Sequence, residues 1–178
     1  MSAIIASVEA VSDPRELEHA VREYLDGVVP RFRARLGDRF EPEAMVAATL
    51  GNLAIYLPPR GRLLLARDPE GTLLGTCFIR RIRPDTAEMK RLFLRPAARG
   101  LGLGRGLAER AVAEAREMGV ARVLLDTGVW MTEARALYRA MGFREVARYP
   151  ESENPPEVED LLVYMELVLP PGVSSVSR

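Results

Sequence analysis

The chain has almost none of the residues that build metal centres or nucleophilic triads: its 178 residues include one cysteine, Cys77, and one histidine, His19. A lone cysteine cannot close an internal disulfide, and without Cys/His clusters no structural zinc site can be drawn, so no metal is expected. A reducing compartment fits this usage, and the cytoplasm is the expected location. Net charge is lacking as well. Lys plus Arg and Asp plus Glu both number 25, which leaves no basic excess to neutralise a phosphate backbone, and nucleic acid is not an expected partner. No stretch approaches the ~20 apolar residues of a bilayer span. The opening MSAIIASVEA has neither the basic n-region nor the apolar length of a signal peptide, so no membrane role is expected. What remains is 48% hydrophobic and 28% charged, the balance of a soluble globular chain with a sizeable core.

Periodicity gives an order of elements. IIASV (residues 4–8) is a short β-rich run, and DPRELEHAVREYL is an amphipathic helix with Asp13 as N-cap, Pro14 in its first turn, and Leu17, Val21, Tyr24 and Leu25 on one face. His19 lies off that face, which predicts a solvent-exposed side chain. Residues 41–53 read as a second helix. Next, GRLLLARD and GTLLGTCFIRRI flank a DPEG turn as a hairpin, and AEMKRLFLRP is a third strand stopped by Pro96. Cys77, within this apolar run, reads as a buried small hydrophobe. Further on come a helix ending at Gly119, the strand ARVLLDT, the helix TEARALYRAMG, and two final strands, FREVARY and LLVYMELVL. Antiparallel strands followed by strand–helix–strand crossovers predict an α/β (α+β) fold with a mixed sheet and helices on both faces. Residues 1–169 are expected to form one domain, and 170–178 (PPGVSSVSR) a disordered tail.

The sharpest signal is RGLGLGRG, Arg99 to Gly106, with four glycines between a strand and a helix start. The first amides of a helix have no intrahelical partner and sit at the positive end of its dipole, so such a junction attracts anions, phosphate above all. Gly100, Gly102 and Gly104 let backbone amides approach a phosphate closely, and Arg99 and Arg105 add charge. Spacing separates the known designs. The dinucleotide pattern G-x-G-x-x-G fails, because Arg105 or Leu107 stands where the third glycine belongs, and the P-loop's G-K-[ST] is absent. The pattern [QR]-x-x-G-x-[GA] is matched in full by Arg99-Gly100-Leu101-Gly102-Leu103-Gly104.

With that pattern, followed by ARVLLDT and the helix end A-x-x-L-Y-x-x-x-G-F (Ala134, Leu137, Tyr138, Gly142, Phe143), the chain resembles the GNAT superfamily of acetyl-CoA-dependent N-acetyltransferases from about Ile4 to Leu169. The resemblance implies a mostly antiparallel central sheet and acetyl-CoA as co-substrate. It places the pyrophosphate on the amides of Arg99 to Arg105 (Gly100, Leu101, Gly102, Leu103 and Gly104 between them). It pairs the pantetheine arm with the backbone of Leu92, Phe93 and Leu94. Many members carry an asparagine three residues before the alanine of the A-x-x-L-Y helix, where this chain has Met131, so that side-chain bond is not expected. The resemblance further implies an amine acceptor on a small molecule or a protein, and homodimers are frequent in the family. A non-catalytic module that keeps the fold and binds CoA is the alternative.

Acetyl transfer needs two protons managed. An aliphatic amine with a pKa near ~10 is mostly protonated at neutral pH, so a base or a water chain must free its lone pair. A departing thiolate leaves faster if an acid protonates it. Tyr138, in LYRAMGF, matches the family tyrosine that points at the CoA sulfur and is the candidate acid. Glu88, by its distance before Arg99, matches a position that holds a catalytic glutamate in some members and is the candidate base; a solvated Glu88/Lys90 pair is the competing reading. Asp126 and Thr127 end a strand on the cofactor side. Finally, PESENPPEVED (150–160) contains five carboxylates and no Lys or Arg, read either as a local negative field that concentrates a cationic acceptor or as a solvated, flexible connection with no role.

Overall fold

The computed structural model describes residues 3–170. Seven strands form one sheet: β1 (Ile4–Val8), β2 (Gly61–Arg67), β3 (Leu73–Arg83), β4 (Thr86–Leu94), β5 (Arg122–Gly128), β6 (Arg144–Val146) and β7 (Leu162–Val168). Their order across the sheet is β1-β2-β3-β4-β5-β7-β6. Every pairing is antiparallel except β4 with β5. The expected mixed, mostly antiparallel sheet is therefore present.

Five helices cover it: α1 (Pro14–Asp26), α2 (Val29–Leu36), α3 (Pro42–Gly51), α4 (Leu103–Glu117) and α5 (Thr132–Ala140). On one face Leu17, Val21 and Leu25 of α1 and Val46 of α3 pack on Leu63, Leu65 and Phe78. On the other, Leu107, Ala111 and Ala115 of α4 and Tyr138 of α5 pack on Leu64, Ala66, Cys77 and Met89. Burial on both faces explains why LLLA in β2 is apolar without alternation. Asp13 caps α1 as expected, its carboxylate accepting from the amides of Arg15 and Glu16 at 3.0 and 3.1 Å. The hairpin turn closes at Gly71, with φ +90°. His19 is exposed and bonded to Glu23, and Cys77 is buried, with its thiol pushed far above the usual range by burial. The predicted disordered tail lies, from residue 171 on, outside the described residues.

Two irregularities shape the centre of the sheet. First, β4 pairs with β5 only from Thr86/Arg122 to Met89/Leu125. Beyond that point β5 stays with β7 as far as Gly128/Leu162 while β4 stays with β3 as far as Leu94/Gly75, so the two parallel strands splay and leave a wedge. Second, Phe93 pairs with Thr76 and Lys90 with Phe78, so Cys77 alone opposes both Arg91 and Leu92. Two residues against one is a β-bulge. Arg91 takes it up with φ +51°, the one non-glycine residue in the left-handed region among the described residues.

Candidate active site

The open end of the wedge leads to the glycine loop. Gly100 and Gly102 both have φ +75°, a conformation costly for any residue with a Cβ, and Gly102 is the N-cap of α4. No side chain caps the helix, and the amides of Leu103, Gly104 and Arg105 donate to no group among the described residues. Three free amides at a positive helix end, with the exposed guanidinium groups of Arg99 and Arg105 beside them, form an anion cradle. Along the wedge, Phe93 faces α1 and lies edge-on to Tyr24 at 6.4 Å, while Leu92 and Leu94 face the α4 side. The β5-facing backbone edge of residues 92–94 has no strand partner among the described residues. It is free for an extended ligand to complete.

The closed end of the wedge holds a narrow cavity of about 70 Å³ lined by Met89, Lys90, Leu92, Asp126, Met131 and Tyr138, among others. It shares Tyr24, Lys90, Arg91, Asp126 and Asn154 with a wider cavity of about 500 Å³ under α1–α3. Tyr138 is 6% exposed and packs against Phe143, ring centroids 5.6 Å apart. Its hydroxyl makes no hydrogen bond within the described residues, and burial raises its pKa, so it keeps its proton at neutral pH. Met131 stands at the head of α5, where its sulfur meets the Thr127 hydroxyl at 3.5 Å. It lines the narrow cavity without the amide of an asparagine.

Glu88 is in a different setting from the solvated pair that strands often carry. It is 0% exposed. Arg80 holds its Oε2 through Nε at 2.7 Å, and the Tyr149 hydroxyl donates to Oε1 at 2.7 Å. Lys90 Nζ stands 3.4 Å from Oε1. Glu88 lines neither cavity. Its reach into the site runs through Lys90, the only lysine in the chain, whose ammonium lies 3.9 Å from Asp126 and 3.3 Å from Glu153. Burial alone would lower the Lys90 pKa, but Glu88, Asp126 and Glu153 outweigh it and hold the ammonium above its ordinary value. Asp126 does line both cavities. Burial raises its carboxyl, and Lys90 only partly opposes that rise. Of Asp126, Lys90, Tyr149 and Asn154, the sequence points only to Asp126, at a strand end on the cofactor side, and to Lys90 as a partner of Glu88; Tyr149 and Asn154 carry no signal there.

Removing the Glu88 carboxylate would leave Arg80 and Lys90 buried with less compensation. Glu88→Ala is expected to lower the free energy of unfolding by about 3 kcal/mol, as breaking a buried pair does. Urea denaturation of wild type and variant measures it, and an unchanged midpoint would remove Glu88 from the supporting framework.

The acidic connection from 150 to 160 differs from its expectation. Glu151 pairs with Arg83, Glu153 with Arg80 and Lys90, Glu157 with Arg39 and Asp160 with Arg35. Cations from other segments pair with four of the five carboxylates, so most of the loop's negative charge is met by neighbouring arginines and Lys90. The connection is also structured, with a 3-10 turn over Pro156–Leu161 that buries Val158 against Phe32, Leu36 and Phe40.

The Acetyltransferase (GNAT) family matches the chain over residues 23–143, more than half its length, across the wedge, the glycine loop and Tyr138. The chain belongs to the GNAT acetyltransferase family. Among its curated relatives, an IAA acetyltransferase of Azospirillum brasilense is 40% identical over 114 residues, 62% of this chain and 70% of that protein. An uncharacterised N-acetyltransferase of Schizosaccharomyces pombe is 36% identical over 113 residues, covering 63% of this chain and 66% of that one. The chain thus spans about two thirds of the length of these relatives. In fold, this GNAT chain is similar to an acetyltransferase from Streptococcus agalactiae, with TM-score 0.70 and 22% identity over 93% of this chain and 98% of that one. An acetyltransferase from Salmonella typhimurium solved with its cofactor acetyl-CoA gives TM-score 0.63 at 18% identity, covering 100% of both chains. Among the described residues no helix is long and apolar enough to cross a membrane.

Proposed function

We propose that this GNAT chain, acting as one domain over residues 1–169 in the cytoplasm, transfers the acetyl group of acetyl-CoA to a primary amine by direct attack with both substrates bound. One observation carries the reading: a single wedge joins an open anion cradle at one end to a buried tyrosine with a free hydroxyl at the other. The residues fit the co-substrate. The amides and arginines from Arg99 to Arg105 hold the pyrophosphate, and the free edge of Leu92, Phe93 and Leu94 pairs with the pantetheine arm. Acetyl-CoA bound there supplies an activated acetyl group beside Tyr138.

The acceptor enters as an ammonium from the wide cavity. Asp126, whose raised pKa brings it nearer to neutrality, takes one proton and frees the lone pair. As the nitrogen–carbon bond forms and the carbon–sulfur bond breaks, Tyr138 gives its proton to the departing sulfur and recovers one from the nitrogen. Amide and free thiol leave, and one proton is released overall. Glu88, expected as the direct base, acts in this scheme as a positioning residue that holds Lys90 beside Asp126. Relatives and structural neighbours are named for acceptors as different as IAA, mycothiol and ribosomal protein S18, so the acceptor must be read from this chain's own cavity.

A panel of amines with acetyl-CoA, followed by release of free thiol, tests the transfer; a chain that acetyl-CoA stabilises but that acetylates no amine would be the non-catalytic module instead. The rate is expected to rise with pH through a limb set by the Asp126 carboxyl, above the ordinary carboxylate range near ~4. Asp126→Asn should abolish that limb. A limb that survives the substitution would return the proton to a water chain.

A further inference from the structure

The wide cavity carries charges of both signs, and the acetyl-transfer chemistry uses only the acidic side. Lys90, Asp126 and Glu153 line the cavity, and Glu88 and Arg80 stand behind them outside the lining; by formal charge the cluster sets three carboxylates against two cations and is net negative by one. Next to it stands Arg91. Arg91 lines the same cavity, and its one side-chain hydrogen bond among the described residues goes to a hydroxyl, not a carboxylate. Nη1 donates to the Tyr56 hydroxyl at 3.2 Å, and the group lies 6.0 Å from the Tyr56 ring centroid and 5.9 Å from that of Phe78. The planar fork has five N–H donors, and that single bond is the only one its side chain makes among the described residues.

The backbone reinforces the point. Arg91 sits at the β4 bulge with φ +51°, where glycine or asparagine would be the easy choice. A bulge re-aims a side chain, and a strained non-glycine position persists only where the surroundings impose it. Here the result is an aromatic-backed, half-buried cation facing an acceptor cavity. The cavity's apolar lining includes Phe32, Phe40, Met45 and Ile55. At the rim, Glu41 is exposed and Arg39 pairs with Glu157.

Resting on the acetyl-transfer reading, we propose that the acceptor is a carboxylate-bearing amine with an apolar body, an apolar amino acid or a close analogue. The ammonium meets the net negative cluster at Asp126, the carboxylate pairs with the free donors of Arg91, and the side chain fills the apolar walls. Groups of opposite sign lining one cavity match a zwitterion. A simple cationic amine leaves the half-buried Arg91 without a carboxylate partner, and a missing matching group is how a site discriminates against an analogue.

Phenylalanine, phenylalaninamide and 2-phenylethylamine share the ring and the amine and differ in the carboxylate, so they separate the terms. Turnover by thiol release and calorimetric binding in the presence of desulfo-CoA are measured for each. The expected result is kcat/KM for phenylalanine about ten- to a hundredfold above phenylalaninamide, the range of a charge-assisted hydrogen bond. Arg91→Met should collapse that ratio to near one, and Arg91→Lys should restore part of it. A ratio of one in the wild type, with turnover of the amide or the amine, overturns the substrate class and leaves acetyl transfer standing. Phenylalanine binding that Arg91→Met removes, without turnover, upholds the site's chemistry and overturns the transfer. Failure of phenylalanine to bind at all overturns the proposal.

Discussion

Gly102→Glu is expected to abolish the rise in melting temperature that acetyl-CoA gives the wild-type chain. At a hundredfold excess over its Kd, a ligand that binds only the folded state stabilises it by about 2.7 kcal/mol. In a chain of this size that is roughly 5–10 °C. The pyrophosphate contributes through amides at the start of α4 that no side chain caps. A carboxylate at the N-cap would fold back onto those amides, as capping residues do, and set a negative charge where the anion belongs. Space is not the obstacle, because a Cβ at Gly102 meets nothing within 4 Å. Conformation is a separate cost, since φ is +75° and the left-handed region costs a residue with a Cβ roughly 1–2 kcal/mol. Gly102→Ala carries that cost without the charge. It should start from a lower melting temperature and still rise with acetyl-CoA. Differential scanning fluorimetry with and without the ligand distinguishes the two, and equal shifts in wild type and Gly102→Glu would defeat the cradle.

The glycine motif was readable because its physics is local: a strand stop at Pro96, bare backbone, and a helix of regular period. The sheet was readable for the same reason, one element at a time. No element is assigned from sequence to α2, although Val28, Phe32 and Leu36 recur at four-residue spacing and all three are buried; the arginines at 31, 33 and 35 break the apolar run. The pairing of the acidic loop is not legible in the sequence for a related reason. Its five carboxylates are adjacent in sequence, but Arg35, Arg39, Arg80 and Arg83, which answer four of them, come from α2, the turn after it, and β3. Charge balance in a folded chain is a property of the surface, and composition over eleven residues cannot report it. The same holds for Glu88 and Lys90. Two residues apart on β4, they look like an exposed face, yet both faces of this sheet are covered, and only the packing of Tyr149 and Arg80 turns the pair into a buried network. The bulge at Arg91 has no local signal at all, since arginine is a poor choice for φ above zero. Only the register between β3 and β4 reveals it.

Tyr138→Phe is expected to lower turnover about a hundredfold, the scale of a single positioned acid, while acetyl-CoA still raises the melting temperature. The substitution removes one oxygen from a buried ring and keeps the contact with Phe143. The hydroxyl has no protein partner among the described residues, so its loss leaves no buried group unsatisfied and should change stability little. The effect should therefore fall on kcat and kcat/KM equally, which marks a group that acts only in the transition state. A leaving group of lower pKa offers a second check. If Tyr138 protonates the departing sulfur, an acyl donor whose thiolate leaves without help should lose much less than a hundredfold in the variant. Parallel losses for both donors would make Tyr138 a residue that positions the acetyl group. Unchanged turnover with acetyl-CoA would take it out of the chemistry and leave the thiolate to be protonated by water entering from the wide cavity.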